Sequence, residues 1–310
     1  SISDEVNEKR YAGGIEQLAN TSIAGSQRQA ALTALSDGRY ILVWSDGSTS
    51  GTDNSSYGIK GQIVDANGVK IGTEFLVNSA ILNSQDNPVV SALPTGGFVV
   101  SWVDSSLTGG DASISSIKAQ IFDAFGAAVG IEILVNQSTA NAQRAPSVAT
   151  LATGGFVISW TDSSMTGGDA SATSVKAQIF DASGGKVGGE FLVNSITANT
   201  QDAPVAAGLI GGGFVISWHD TSLQGGDASK DAVKAQIFSS SGAKVGSEFL
   251  VNTETSSNQQ QQAIIGLSTG GFAIAWADAS ARGGDASYYG IKLQIFDASG
   301  TKMGGEKLVN

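Results

Sequence analysis

Residues Gly96 to Ser113 read GGFVVSWVDSSLTGGDAS, and four further copies of this phrase run through the chain. Each copy is a short apolar stretch ending in tryptophan, then an aspartate, then a Ser/Thr/Gly loop holding a second aspartate. The tryptophans fall at Trp44, Trp102, Trp160, Trp218 and Trp276, each 58 residues after the last, and the chain has no others. A period that never slips marks one structural unit repeated.

The text around the phrase divides the second unit into four strands. QDNPVVSAL (Gln85 to Leu93) comes first, with Pro88 read as tolerable near a strand start, and PTGG turns the chain. FVVSWV then alternates, with Phe98, Val100 and Trp102 on one face and Val99, Ser101 and Val103 on the other. A loop of about a dozen residues leads to IKAQIF (Ile117 to Phe122), DAFGAAVG is read as a turn, and EILVN is the fourth strand. No window carries a helical period. Four short antiparallel strands recurring every 58 residues predict an all-β fold, a five-bladed β-propeller with one four-stranded sheet per blade. A parallel β-helix is the rival, but its coils are usually shorter and lack two hairpins per turn. Residues 1–12 are read as a tail and 13–310 as a single domain, with units at 21–78, 79–136, 137–194, 195–252 and 253–310. In such blades the Asp/Gly-rich loops and the blade-to-blade connections share one face, and the short turns take the other.

The phrase that ends each unit, as in GTEFLVN or GGEFLVN, occurs six times, because GGIEQLAN (Gly13 to Asn20) is a degenerate copy. Glu16 and Glu306 are separated by 290 residues, five repeats, so the two terminal copies claim one outer strand. Hairpin partners lose little loop entropy on pairing. The expectation is that GGEKLVN pairs with IKLQIF (Ile291 to Phe296), while GGIEQLAN lies against the ring's edge or on another molecule.

A net charge of −11 argues against nucleic acid, which needs a basic face. The absence of cysteine rules out disulfides and thiolate metal sites. No apolar run approaches the roughly 20 residues of a membrane-spanning helix, and SISDEVNEKR is not a signal peptide.

GGFVVSW, IKAQIFDASG and VGGEFLVN resemble the tandem repeats of large bacterial secreted proteins, especially calcium-associated RTX proteins and adhesins. The resemblance covers about residues 13–310 and implies an extracellular or cell-surface segment of a longer protein. The RTX nonapeptide GGxGxDxUx is absent, so its calcium chemistry does not carry over.

Ten aspartates form pairs seven residues apart: Asp46 and Asp53, Asp104 and Asp111, Asp162 and Asp169, Asp220 and Asp227, Asp278 and Asp285. Carboxylates and loop carbonyls are what calcium takes, which makes each pair a candidate calcium site. The competing reading is that they cap turns and are neutralised by Lys60, Lys118, Lys176, Lys234 and Lys292 of the next strand. The glutamines that open the first strands and the asparagines of LVN are read as structural ties, and the tryptophans as inter-blade core.

Symmetry breaks point to ligands. Arg28, Asp86, Arg144, Asp202 and Gln260 share one position near the channel mouth, where alternating charges are expected to pair around the ring and plug it rather than to bind a ligand. Tyr57 and Tyr289 are equivalents in blades one and five, with Tyr288 adjacent and Arg282 nearby, and their junction is the candidate glycan site. His219, the one histidine, is read as a substitution near a strand end. With a single histidine and near-perfect repetition, no catalytic residue is assigned.

These readings combine into an expectation of a non-enzymatic, extracellular binding or adhesion module, possible calcium included, whose partner is a glycan or cell-surface polysaccharide. A structural spacer is the first alternative, and a propeller hydrolase or lyase the second.

Overall fold

The computed structural model describes residues 16–48, 56–284 and 289–310. Among these residues there are five four-stranded antiparallel sheets and no helix, each sheet built from four strands consecutive in the chain. Blade one holds β1 (Gln27–Ala34), β2 (Tyr40–Asp46), β3 (Gly58–Val64) and β4 (Lys70–Leu76). Blade two holds β5 (Gln85–Ala92), β6 (Phe98–Asp104), β7 (Ser116–Phe122) and β8 (Ala128–Leu134). Blade three holds β9 (Gln143–Thr150), β10 (Phe156–Asp162), β11 (Ser174–Phe180) and β12 (Lys186–Leu192). Blade four holds β13 (Gln201–Gly208), β14 (Phe214–Asp220), β15 (Ala232–Phe238) and β16 (Lys244–Leu250). Blade five holds β17 (Gln259–Gly266), β18 (Phe272–Asp278), β19 (Gly290–Phe296) and the short β20 (Lys307–Leu308). This is the five-bladed propeller that the repeat predicts.

The strand alternation becomes two buried faces. Every residue of β10 and β11 is buried. Phe156, Ile158, Trp160 and Phe180 face blade two, where Val99, Ile117, Ala119 and Ile121 receive them. The same two half-faces meet at the other described interfaces. Phe156 and Phe180 stack with ring centroids 4.9 Å apart. Each buried aromatic contributes about 2–3 kcal/mol by area. The indole N–H of every tryptophan is buried without a hydrogen-bond partner, so these rings serve the interface by area alone.

The glycine pair before the second strand has two separate causes. Gly154 takes a positive φ of 97° to turn the chain, whereas a Cβ on Gly155 would stand 2.1 Å from the Phe180 carbonyl oxygen.

Two strand boundaries differ from the sequence reading. Pro88 lies inside β5, where a bulge between Asp86 and Val89 takes it out of the ladder. The fourth strand begins at Ala128, within the glycine-rich text read as a turn. The turn closes at Asp123–Ala127, and Gly130 (φ 73°) lies in a bulge of the strand that follows. Glycine in a strand and glycine in a turn look alike in sequence.

At the C terminus, β20 pairs with β19, and the Asn310 side-chain oxygen accepts the Ile291 N–H at 2.8 Å. At the N terminus, Thr21 N–H donates to Glu74 Oε2 at 2.8 Å and Lys70 Nζ to the Asn20 carbonyl at 3.1 Å. GGEKLVN therefore closes its own blade, and the described end of GGIEQLAN lies on the edge of blade one. Among the described residues no helix is long and apolar enough to cross a membrane.

Candidate active site at the channel mouth

The repeated polar residues form a relay across each blade junction. The Asn136 side-chain oxygen accepts the Ile117 N–H at 2.8 Å, and its amide donates to Asp111 Oδ2 at 2.9 Å and to Gln143 Oε1 at 3.4 Å. Gln143 in turn donates to Asp162 Oδ1 at 3.2 Å. Asp162 Oδ2 meets Lys176 Nζ at 2.9 Å, and Lys176 reaches Glu190 at 3.0 Å. The relay ends where the Gln137 N–H, in the blade connection, donates to Glu190 Oε2 at 2.6 Å. Burial pushes the Glu190 carboxyl up, but the Ser138 hydroxyl, the Gln137 N–H and Lys176 outweigh it and hold it below the usual range.

This relay accounts for the expected metal aspartates. Asp46, Asp104, Asp162, Asp220 and Asp278 each face the lysine of the next strand, at 2.7, 3.8, 2.9, 3.2 and 2.9 Å. Asp111, Asp169 and Asp227 each hold the asparagine that ends their blade, at 2.9, 3.1 and 3.1 Å. Asp53 and Asp285 lie outside the described residues. Among the described residues no group of three or more histidine or acidic side chains is placed to hold a metal.

Three variable positions meet at the mouth end of each blade: the second residue of the first strand, its cross-strand partner, and a residue just before the third strand. In blade one Arg28 lies over the Tyr57 ring at 3.8 Å, and Arg28 also pairs with Asp86 of blade two at 2.8 Å. In blade five the Tyr289 hydroxyl accepts from Gln260 at 3.3 Å. The expected tyrosine site is thus divided, each ring meeting the mouth residue of its own blade. Arg282 stands 4.0 Å from Glu254 with its side chain 67 % exposed, and Tyr288 lies outside the described residues. The charge pairing expected around the ring is seen for Arg28 and Asp86, while Arg144 is exposed without an ion pair among the described residues.

Blade four is different in kind. Its three positions are Asp202, His219 and Asp231, and they converge. His219 Nδ1 lies 2.9 Å from Asp202 Oδ1 in a hydrogen bond. Asp231 Oδ2 stands 3.2 Å from Nε2 as an ion-pair contact without hydrogen-bond alignment. The two carboxylates therefore flank one imidazole, at most about 8 Å apart given ordinary hydrogen-bond lengths. Burial pushes the His219 pKa down, but the hydrogen bond and charge of Asp202, then the nearby Asp231 carboxylate, outweigh it and raise it above the ordinary value. All three side chains keep some exposure, so the group is half-buried at the mouth.

The chain matches no protein-family model and no curated protein sequence. Its fold is that of solved propellers. A protein of unknown function from Dyadobacter fermentans superposes with a TM-score of 0.60 at 10% identity, covering 92% of this chain and 83% of that one. The NanB sialidase from Streptococcus pneumoniae superposes at 0.56 with 11% identity, covering 93% and 62%. The GH93 α-L-arabinofuranosidase of Fusarium graminearum, in complex with arabinobiose, superposes at 0.53 with 14% identity, covering 91% and 92%. At these identities the likeness is one of fold.

One expectation is corrected here. The reading as a non-enzymatic binding or adhesion module gives way, because the like-folded proteins of named activity are glycosidases. Its physical premise also fails. That premise was the lack of a non-repeated acid–base group, and Asp202, His219 and Asp231 form one. The signal in the sequence was that His219 and Asp231 both depart from every equivalent residue in the same blade, beside the charged position of Asp202.

Proposed function

We propose that the chain is a propeller glycoside hydrolase with its active centre at Asp202, His219 and Asp231. The observation that carries this reading is the pair of carboxylates on opposite nitrogens of the chain's one histidine. Glycoside hydrolysis runs on two carboxyl groups, about 6.5–9.5 Å apart where inversion leaves room for a water and about 5–5.5 Å in retaining enzymes.

The geometry suggests a role for each group. Asp202 accepts the Nδ1–H hydrogen bond and fixes the ring, so that the second N–H of the imidazolium lies on Nε2, beside Asp231. The raised pKa keeps that proton on the ring near neutrality. Once substrate brings the Asp231 carboxylate into line with Nε2, Asp231 accepts that proton and donates it to the leaving glycosidic oxygen, the ring becoming neutral. Asp202 Oδ1 is engaged by the ring, leaving Oδ2 to take a proton from the attacking water. Arg144 and the Gln260–Tyr289 pair, at equivalent places on the flanking blades, would contact the glycan on either side. The likeness to an arabinofuranosidase makes arabinose-containing polymers the first substrates to try. A polymeric glycan outside the cell also fits the extracellular location implied by the resemblance to secreted repeat proteins.

The test is release of new reducing ends from a panel of polysaccharides, arabinans included. Asp202→Asn and Asp231→Asn should each lower the rate at least about 100-fold, with the folded β-sheet circular dichroism retained. Absence of cleavage on every polymer by the wild-type protein would sink the reading.

A further inference from the structure

The chain has 17 lysines and arginines against 28 acidic residues, and most of its described cations are engaged. The third-strand lysines sit in the relays. Arg28 is held by Asp86 and Arg39 by Asp37. Lys244 and Lys302 donate to hydroxyls of the preceding blade connection at 2.8 and 2.9 Å. At the mouth of blades three and four, Arg144 and Lys230 are exposed and have no ion pair or hydrogen bond among the described residues.

The repeat shows why Arg144 is free. Arg144 is the equivalent of Arg28, and Asp202 is the equivalent of Asp86. Between blades one and two that pair closes at 2.8 Å, and the Tyr57 ring covers the guanidinium at 3.8 Å. Between blades three and four it does not close. Asp86 faces Val103 across its strand pair, whereas Asp202 faces His219, whose ring takes Asp202 Oδ1 at 2.9 Å. Blade three also has Thr173 where blade one has Tyr57, so no ring covers Arg144. The two strands still stand side by side. Thr161, the cross-strand partner of Arg144, accepts the Ala203 N–H at 3.0 Å, and Ala203 follows Asp202 in the chain. Lys230 in turn precedes Asp231, whose carboxylate stands 3.2 Å from His219 Nε2. Its equivalents Ser56, Ile114, Ala172 and Tyr288 carry no charge. Each carboxylate of the candidate centre therefore has an unspent cation next to it.

We infer, resting on the hydrolase reading, that the substrate is an acidic glycan whose sugar carboxylate, as in a uronic acid residue, is held by Arg144 with Lys230. A guanidinium presents paired N–H donors that match the two oxygens of a carboxylate, while an ammonium adds a point charge. A neutral sugar would use neither feature. An anionic sugar approaching Asp202 and Asp231, in a chain of net charge −11, is repelled unless cations adjoin its path. Arg144 and Lys230 supply them on either side of the acid pair. Among polymers this favours those bearing uronate groups over neutral arabinan.

Binding is read by isothermal titration calorimetry with oligosaccharides of galacturonate, glucuronate and mannuronate, each beside its uncharged methyl ester. At least one acid should bind about tenfold or more tightly than its ester, and the margin should shrink as salt is raised. Arg144→Gln should abolish the margin, Arg144→Lys should restore part of it, and Lys230→Gln should lower it several-fold. No acid preferred over its ester, or a margin unchanged in Arg144→Gln or Lys230→Gln, would overturn the inference. A margin for an acid with no polymer cleaved would count against the hydrolase reading alone. Cleavage of neutral arabinan at the same rate by wild type and Arg144→Gln, with no margin for any acid, would count against this inference alone.

Discussion

Lys176 Nζ lies 2.9 Å from Asp162 Oδ2, and the two side chains are 1 % and 0 % exposed. A lysine this deep is tolerable only because Asp162 and Glu190 both meet it and the Ser164 hydroxyl accepts from it at 3.1 Å. Removing one partner of a buried pair leaves an uncompensated charge, which costs about 3–5 kcal/mol. Lys176→Met should lower the stability of the protein by about that much in urea unfolding. The pair Arg39–Asp37 keeps its aspartate side chain 48 % exposed, and Asp37→Ala should shift the urea midpoint far less than Lys176→Met. A small effect from Lys176→Met would mean the lysine is dispensable to the blade.

The same ion pairs bear on calcium. In each blade a lysine ammonium stands at the first aspartate of the loop, and a cation seated there would have to displace it. Millimolar calcium added to chelator-stripped protein should therefore leave the melting temperature unchanged within about 1 °C. A ligand that binds the folded state alone stabilises it by mass action, so a rise of several degrees would revive the loop aspartates as a metal site.

Much of this molecule could be read from the period alone. The strand order, the buried tryptophans and the paired lysines follow from residues that recur every 58 positions, because a repeated unit must bury the same faces each time. The bulges at Asp86–Val89 and Gly130 were not legible, since proline and glycine signal a chain break and a tolerated irregularity in the same letters. The mouth of blade four was hidden for another reason. Asp202, His219 and Asp231 are far apart in sequence, and each looks like drift when compared only with its own column. Topology brings them together: β13 and β14 place Asp202 opposite His219, and the loop before β15 delivers Asp231.

Gly155 tests the close packing of the turn against the third strand. A Cβ there would stand 2.1 Å from the Phe180 carbonyl oxygen, which is backbone and cannot swing away. Gly155→Ala should cost about 1–3 kcal/mol, the range for overpacking a rigid site. Gly154→Ala, with open space around it but a φ of 97°, should lose stability through backbone strain alone. Alanine tolerated at 155 without loss of stability would show that the strand end can shift.

His219 should make the stability of the fold depend on pH in a predictable direction. Its folded pKa is raised, because the two aspartates favour the imidazolium more than burial disfavours it. A group whose pKa rises on folding contributes stability that is fully present below its unfolded value, about 6.5, and is lost as pH climbs through the folded value. Wild-type protein should therefore exceed His219→Gln in unfolding free energy by most at about pH 5.5, and the difference should shrink steadily above about pH 6.5. Replacing Asp202 by asparagine removes the larger of the two aspartate contributions and should flatten much of this dependence by itself. Urea midpoints measured across that range decide the matter. A wild-type advantage that grows with pH would mean that the ring is held neutral and that the two aspartates do not govern its charge.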